Sequence, residues 1–209
     1  DQISGGITYG GTAGIGVTVS VIKSTSVVDA VIRGDSTVTA LARDDGVAGS
    51  ARSEAGEIFL DRETVMRSGV SVVADSSTEV NTLAITGGLS FGGGMAFQVP
   101  VILLSDTVRA RILGVGSARP DVESDGDVAV FAGTATRVQT LSAVLGGGLT
   151  FGVGALNEVF IIEKTTQASI ENADVSAVRD LTIDAITPES IRTVSGALGI
   201  GVYAGIAGV

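Results

Sequence analysis

Three short stretches share one pattern: Gly5-Gly6-Ile7-Thr8-Tyr9-Gly10, Gly87-Gly88-Leu89-Ser90-Phe91-Gly92 and Gly147-Gly148-Leu149-Thr150-Phe151-Gly152. Each reads Gly-Gly, an aliphatic residue, a hydroxyl residue, an aromatic ring and Gly. A ligand-binding loop is needed once, so three copies within 209 residues mark a repeat architecture. A phosphate-cradling loop would also open onto a helix N-terminus or a Lys-Ser/Thr pair. The third copy instead runs on as apolar strand from Val153 to Ile162, and the next lysine is Lys164. The stretches therefore read as packing devices. Glycine has no Cβ and lets two backbone layers approach closely. Gly88, Gly92, Gly148 and Gly152 are expected where opposite walls press together, with the rings of Phe91, Phe151 and Tyr9 filling one stacked slot.

Between the copies the hydrophobic period is two. Leu181, Ile183 and Ala185 fall on one face of Asp180 to Ala185, with Thr182 and Asp184 on the other. Asp127 to Ala132 and Gly69 to Ala74 repeat the template. A second strand follows each one, at Thr78 to Leu83, Thr136 to Leu141 and Ser190 to Val194. Val80, Val138 and Ile191 should face in, and Glu79, Asn81, Arg137, Gln139 and Arg192 out. After each Gly-rich copy comes an apolar strand (Val17 to Ile22, Val99 to Leu104, Val159 to Ile162), then a short Ala-x-Ile strand at Ala30-Val31-Ile32, Ala110-Arg111-Ile112 and Ala168-Ser169-Ile170. Ala74, Ala132 and Ala185 are spaced by 132 − 74 = 58 and 185 − 132 = 53 residues.

These spacings predict a single all-β segment over 1–209, a parallel β-solenoid of Gly-rich repeats of roughly 53 to 58 residues. Its units run about 1–86, 87–145, 146–195 and a partial 196–209. Stacking would set Leu181 near Val128 and Val70, and Thr193 near Thr140 and Thr82. Each unit would need either several short coils or one wide, flattened coil. A charged insertion at about 43–67 lengthens the first unit and reads as a surface excursion. Ser53 to Met66 is the only stretch with helical character, because Gly and β-branched residues penalise helix elsewhere. Pro100 cannot donate a ladder hydrogen bond and should mark an edge or bulge.

Composition then limits the function classes. The formal net charge is −10 and Lys and Arg form no cluster, which argues against nucleic acid and against an anionic membrane surface. No apolar run is long enough to span a bilayer as a helix. With no cysteine there are neither disulfides nor thiolate chemistry, and with no histidine the usual general base and commonest zinc ligand are missing. The chain opens on Asp1-Gln2-Ile3, with neither an initiator methionine nor a signal peptide, and is expected to be a piece of a longer one.

The order of elements, through Thr165-Thr166-Gln167-Ala168-Ser169-Ile170 and Asp174-Val175-Ser176-Ala177 to Asp180-Leu181-Thr182-Ile183-Asp184-Ala185, resembles the repeats of very large bacterial filamentous adhesins of the leukotoxin-like type. More loosely, it is similar to haemagglutinin-type exoproteins. The resemblance covers nearly the whole chain except the insertion. It implies a secreted or cell-surface β-solenoid stalk, extracellular, whose partners are neighbouring repeats, identical subunits, or host and surface glycans and proteins. It supplies no catalytic residues. Pro100 and Asn157-Glu158 depart from its pattern of small or aliphatic residues.

Four features remain as candidate chemistry. Asp121, Glu123, Asp125 and Asp127 place oxygen donors at alternate positions, as a calcium loop does. The twelfth position, however, is Ala132 rather than a bidentate Glu, which favours a solvated acidic turn. Arg33-Gly34-Asp35 is a cell-binding tripeptide by composition, at a strand-to-strand turn. Asp44-Asp45 and Asp61-Arg62 are the only local groupings suited to a polysaccharide-active β-helix. Phe131 and Val73 form an outward apolar pair that suits either a lateral contact or a place beneath the Arg43 to Arg67 insertion. The expected function is a structural and adhesive stalk segment without catalysis or cofactor. The alternatives are an extracellular filament or sheath subunit stacking end to end and, less favoured, a polysaccharide-active enzyme.

Overall fold

A computed structural model describes residues 2–41, 47–49, 65–67 and 69–209. The described residues form strands and turns, with no helix among them. The strands are β1 (Gln2–Gly10), β2 (Ala13–Arg33), β3 (Thr37–Ala40), β4 (Val47–Gly49), β5 (Val65–Arg67), β6 (Gly69–Ser90), β7 (Gly93–Leu113) and β8 (Asp121–Ser124), followed by β9 (Asp127–Gly148), β10 (Phe151–Leu156), β11 (Val159–Glu171), β12 (Asp174–Ala177), β13 (Leu181–Ile186), β14 (Glu189–Gly201) and β15 (Ala204–Gly208).

Three parallel sheets account for all but β4 and β5. The first orders β1-β6-β9, with β13 and β14 both on β9. The second sets β2, β10 and β11 on β7, and β15 on β10; the third orders β3-β8-β12. Val70 pairs with Val128 and Leu181 with Val128, while Thr82 and Thr193 both pair with Thr140, the stacking expected from the period-two template. Ala30, Ala110 and Ala168 likewise share one row. The offsets are 58 between β6 and β9 and 53 between β9 and β13, as Ala74, Ala132 and Ala185 require.

The strands are longer than the period-two blocks suggested. Gly69 to Leu83 and the following Gly-rich stretch form one 22-residue strand, and Gly93 to Leu113 one 21-residue strand. The polar residues between the blocks resemble turn signals. They instead point into the space between the first two sheets and pair there: Ser26 Oγ with Ser76 Oγ at 3.3 Å, Thr78 Oγ1 donating to Asp106 Oδ2 at 3.2 Å, and Thr134 Oγ1 with Thr166 Oγ1 at 2.8 Å. A hydroxyl that finds such a partner has no need of a turn to reach water. The unit limits read from the Gly-rich copies fall inside β6, β9 and β14.

Packing divides the interior along the strands. The largest apolar cluster, with Val108, Ile112, Val122, Val128 and Val130 all at 0% exposure, lies where all three sheets meet. A smaller one around Val80, Ile102, Leu104 and Val138 follows. Towards the turn between the two long strands, only Ala96, Val144 and Leu156 remain as buried apolar core.

Beyond them the layers meet backbone on backbone. A Cβ on Gly88 would strike the carbonyl of Met95, one on Gly94 the carbonyls of Gly88 and Gly147, and one on Gly146 the carbonyl of Val153. This is the close approach expected of the glycines. The aromatic slot is not formed. The Gly-rich copies are spaced by 87 − 5 = 82 and 147 − 87 = 60 residues, whereas the ladders run at 80 and 58. Each copy therefore slips two residues around the turn. Tyr9 ends in β1, Phe91 sits in the turn and Phe151 opens β10 on the opposite sheet, over Gly93. Tyr9 and Phe91 still meet edge to face at 5.9 Å, but all three rings are exposed. A slip of two keeps every side chain on its own face, so the outward rings stay outward.

Pro100 pairs with Ser20 of β2 on one side of β7, and on the other it faces the short break at Asn157-Glu158 between β10 and β11, a local gap in the ladder that serves as an edge. The offset is 156 − 98 = 58 before that break and 159 − 101 = 58 after it, so no residue is inserted and there is no bulge. The two departures from the repeat pattern are thus one local feature. The insertion begins with β4 and ends with β5, an antiparallel pair. Met66 is in strand, against the helical expectation, and Ser53 to Thr64 lies outside the described residues.

Candidate functional site

The acidic stretch at 121–127 is a strand and a tight turn. Asp121 and Glu123 alternate outward on β8, while Val122 and Ser124 are buried. Ser124 Oγ accepts from Gly126 N at 3.1 Å and donates to Asp127 O at 3.1 Å, closing the turn internally. Asp127 Oδ1 accepts from the backbone N of Asp180 at 3.3 Å, tying this turn to the next strand. Among the described residues no three carboxylates come together as a cation would need.

Arg33-Gly34-Asp35 occupies the turn from β2 to β3. Gly34 has φ 78° and donates its N–H to Leu113 O at 3.3 Å, and Ser36 Oγ donates to Arg33 O at 3.1 Å. Asn172 takes φ 47° at the equivalent place, whereas in the intervening turn Gly114 is not left-handed and Gly116, with φ 64°, is. Arg33 and Asp35 are exposed. Asp44, Asp45, Asp61 and Arg62 lie outside the described residues. Phe131 pairs in register with Val73 and both are half-buried on the outer face of the first sheet, as alternation predicts.

The structure also brings together a site that had no motif. Along the outer face of the first sheet, Asn81, Gln139 and Arg192 stand in one row, and Leu83, Leu141 and Val194 in the next. Ile3 extends the aliphatic row at the β1 end, and Gln2 pairs with Thr82 between the rows. A groove of about 470 Å³ runs between them, floored by the strands at Thr82 and Thr140 and crossing all four levels of the sheet. One wall offers amide and guanidinium groups and the other aliphatic carbon, and among the described residues no carboxylate lines it. The signal lay in the register-equivalent triplets Asn-Thr-Leu, Gln-Thr-Leu and Arg-Thr-Val, visible once the ladder is known.

Several groups lie in the interior beyond what the mechanism of packing uses. Gln98 is 1% exposed and neither amide atom has a hydrogen-bond partner in the protein. Asp106 accepts from Thr78 through one carboxylate oxygen, and its other oxygen is unpaired. Lys164 Nζ lies 3.2 Å from Glu189 Oε2 with its side chain 10% exposed. All three stand on the inner face of the second sheet, Asp106 and Lys164 as direct register partners and Gln98 farther along β7. Compared with family models, curated proteins and solved structures, the chain matches none of them.

Proposed function

We propose that the chain is a β-solenoid segment of a large secreted or cell-surface bacterial stalk, structural and adhesive rather than catalytic. The first two turns of the chain each contribute one strand to each of the three sheets. The third adds β9, the pair β10 and β11, and β12, and the last adds β13 and β14 with β15, so successive turns form wide, flattened coils. The observation that carries this reading is the pairing of β6 with β9, which runs unbroken for 22 residues from Gly69↔Asp127 to Ser90↔Gly148. Such pairing makes rise the only thing each turn adds, about 4.8 Å per level, and it makes stability a sum of neighbour terms. A rod built this way is stiff and as long as its number of turns. The groove between the Asn81 row and the Leu83 row supports the adhesive part, because it repeats at every level and can be lengthened by adding turns.

The test is made on intact cells. Antibodies raised against the 209-residue chain should label the outer surface, and deletion of residues 127–179, which sets Asp180 in the place of Asp127, should leave a folded product shorter by one level. Labelling that appears only after lysis would refute the surface stalk. Hydrolysis of a polysaccharide that is lost on substituting Asp44, Asp45 and Asp61 would replace it with the enzyme reading.

A further inference from the structure

The half of the molecule nearest the turns is inside out. On the first sheet the inward positions there are mostly small or hydroxyl residues (Ser4, Ala84, Thr86, Ser90, Ser142 and glycines, with Val144 the one large aliphatic), while the outward rows are aliphatic. Charge stops at the same boundary. Residues 2–22, 80–105, 138–157 and 193–209 contain no Asp, Glu, Lys or Arg, although the chain as a whole carries −10. Leu141, Val194, Leu198 and Ile200 on the first sheet are each 52–53% exposed, and Val17, Val19 and Val21 on the second are 57–65% exposed. Phe91 at 62% and Tyr203 at 85% carry the apolar surface around the turn from one face to the other. The first face measures about 20 Å along the strands and about 14 Å across them, an outline of about 280 Å². A contiguous apolar patch of that extent is often a contact site.

We propose that this face of the first sheet is a lateral contact with a second copy of the chain. The inference rests on the parallel stacking in the reading above. Three observations select a copy. The face is self-complementary: between the knobs of Ile85, Leu145 and Leu198 lies an apolar hollow of about 320 Å³ beside Ala143 and Gly196. A copy brings the same row spacing, so its knobs reach hollows at every level, as in a two-fold contact. The meeting surfaces are uncharged, so the net −10 imposes no local like-charge contact.

Sedimentation equilibrium of the 209-residue chain tests this, with circular dichroism as the fold control. The wild type should be a dimer, and Leu141→Glu with Leu145→Glu should weaken it at least about a hundredfold while keeping the β spectrum. Since the chain has no cysteine, Ile85→Cys provides a second readout: a short bis-maleimide should join two copies, whereas Ser77→Cys on the charged half should not. A wild-type monomer with an intact β spectrum overturns the contact and leaves the solenoid standing. A dimer indifferent to both substitutions, as end-to-end stacking would give, also overturns it. So does a monomer that floats with phosphatidylcholine vesicles. A helical or disordered spectrum in the wild type would instead sink the solenoid itself.

Discussion

Gly94→Ala is the sharpest test of the pressed layers. Gly94 is buried in β7, and a Cβ there would lie 2.7 Å from the carbonyl carbon of Gly147 on the facing sheet, with the carbonyl oxygens of Gly88 and Gly147 nearer still. Ordinary carbon contacts need about 3.5 Å, so the facing backbones must separate by roughly 1 Å. Backbone cannot change rotamer, and the shift is shared by every pair along the ladder. Overpacking of this kind costs up to about 3 kcal/mol or more. The loss of glycine's freedom in the unfolded chain offsets about 0.4–1 kcal/mol of that. The net expectation is destabilisation by about 2 kcal/mol, or a fall in Tm of about 4–8 °C for a chain of this size. Gly196→Ala makes the same chemical change in β14, where the added methyl has nothing within 4 Å and φ is not positive. It should stabilise by about 0.5–1 kcal/mol. Urea or thermal melts of the two variants beside the wild type decide the matter. Two changes of the same sign and size would refute the close approach of the layers.

Other outcomes follow from burial and partnership. Val130→Ala, at a residue 0% exposed in the main cluster, should cost about 2 kcal/mol; Ile183→Ala, its register partner at the last level and 48% exposed, should cost less although it removes more carbon, as urea midpoints would show. Thr134→Val should cost about 1–3 kcal/mol by stranding the hydroxyl of Thr166, whereas Thr134→Val with Thr166→Val should recover most of the loss in a double-mutant cycle. Because Asp121, Glu123, Asp125 and Asp127 do not converge, exchanging millimolar calcium for a chelator should leave Tm unchanged; a rise with calcium would reinstate the loop as a metal site.

Much of the molecule was legible in the residues alone. Alternation of apolar and polar positions identifies strands, and the spacings of 58 and 53 between Ala74, Ala132 and Ala185 set which residue stacks on which, because a ladder in register requires it. The density of glycine announces that two backbones touch. Other features were out of reach. Ser76 and Thr134 read as turn residues, and only a facing sheet bearing Ser26 and Thr166 makes them interior. The slip of two residues between the Gly-rich copies and the ladder is invisible to a motif, since it changes no face, yet it moves Tyr9, Phe91 and Phe151 from one slot to three places around a turn. The groove beside Leu141 exists only once Asn81, Gln139 and Arg192 are stacked. Above all, alternation tells which residues share a face and not which face is inside. Near the turns the chain presents aliphatic residues on one side and Gly, Ser and Thr on the other, and hydrophobicity alone would bury the first set. Where the two sheets come within backbone contact there is room only for the second. The spacing of the layers, a property of the assembled structure, sends Leu141, Leu198 and Val19 out to the surface.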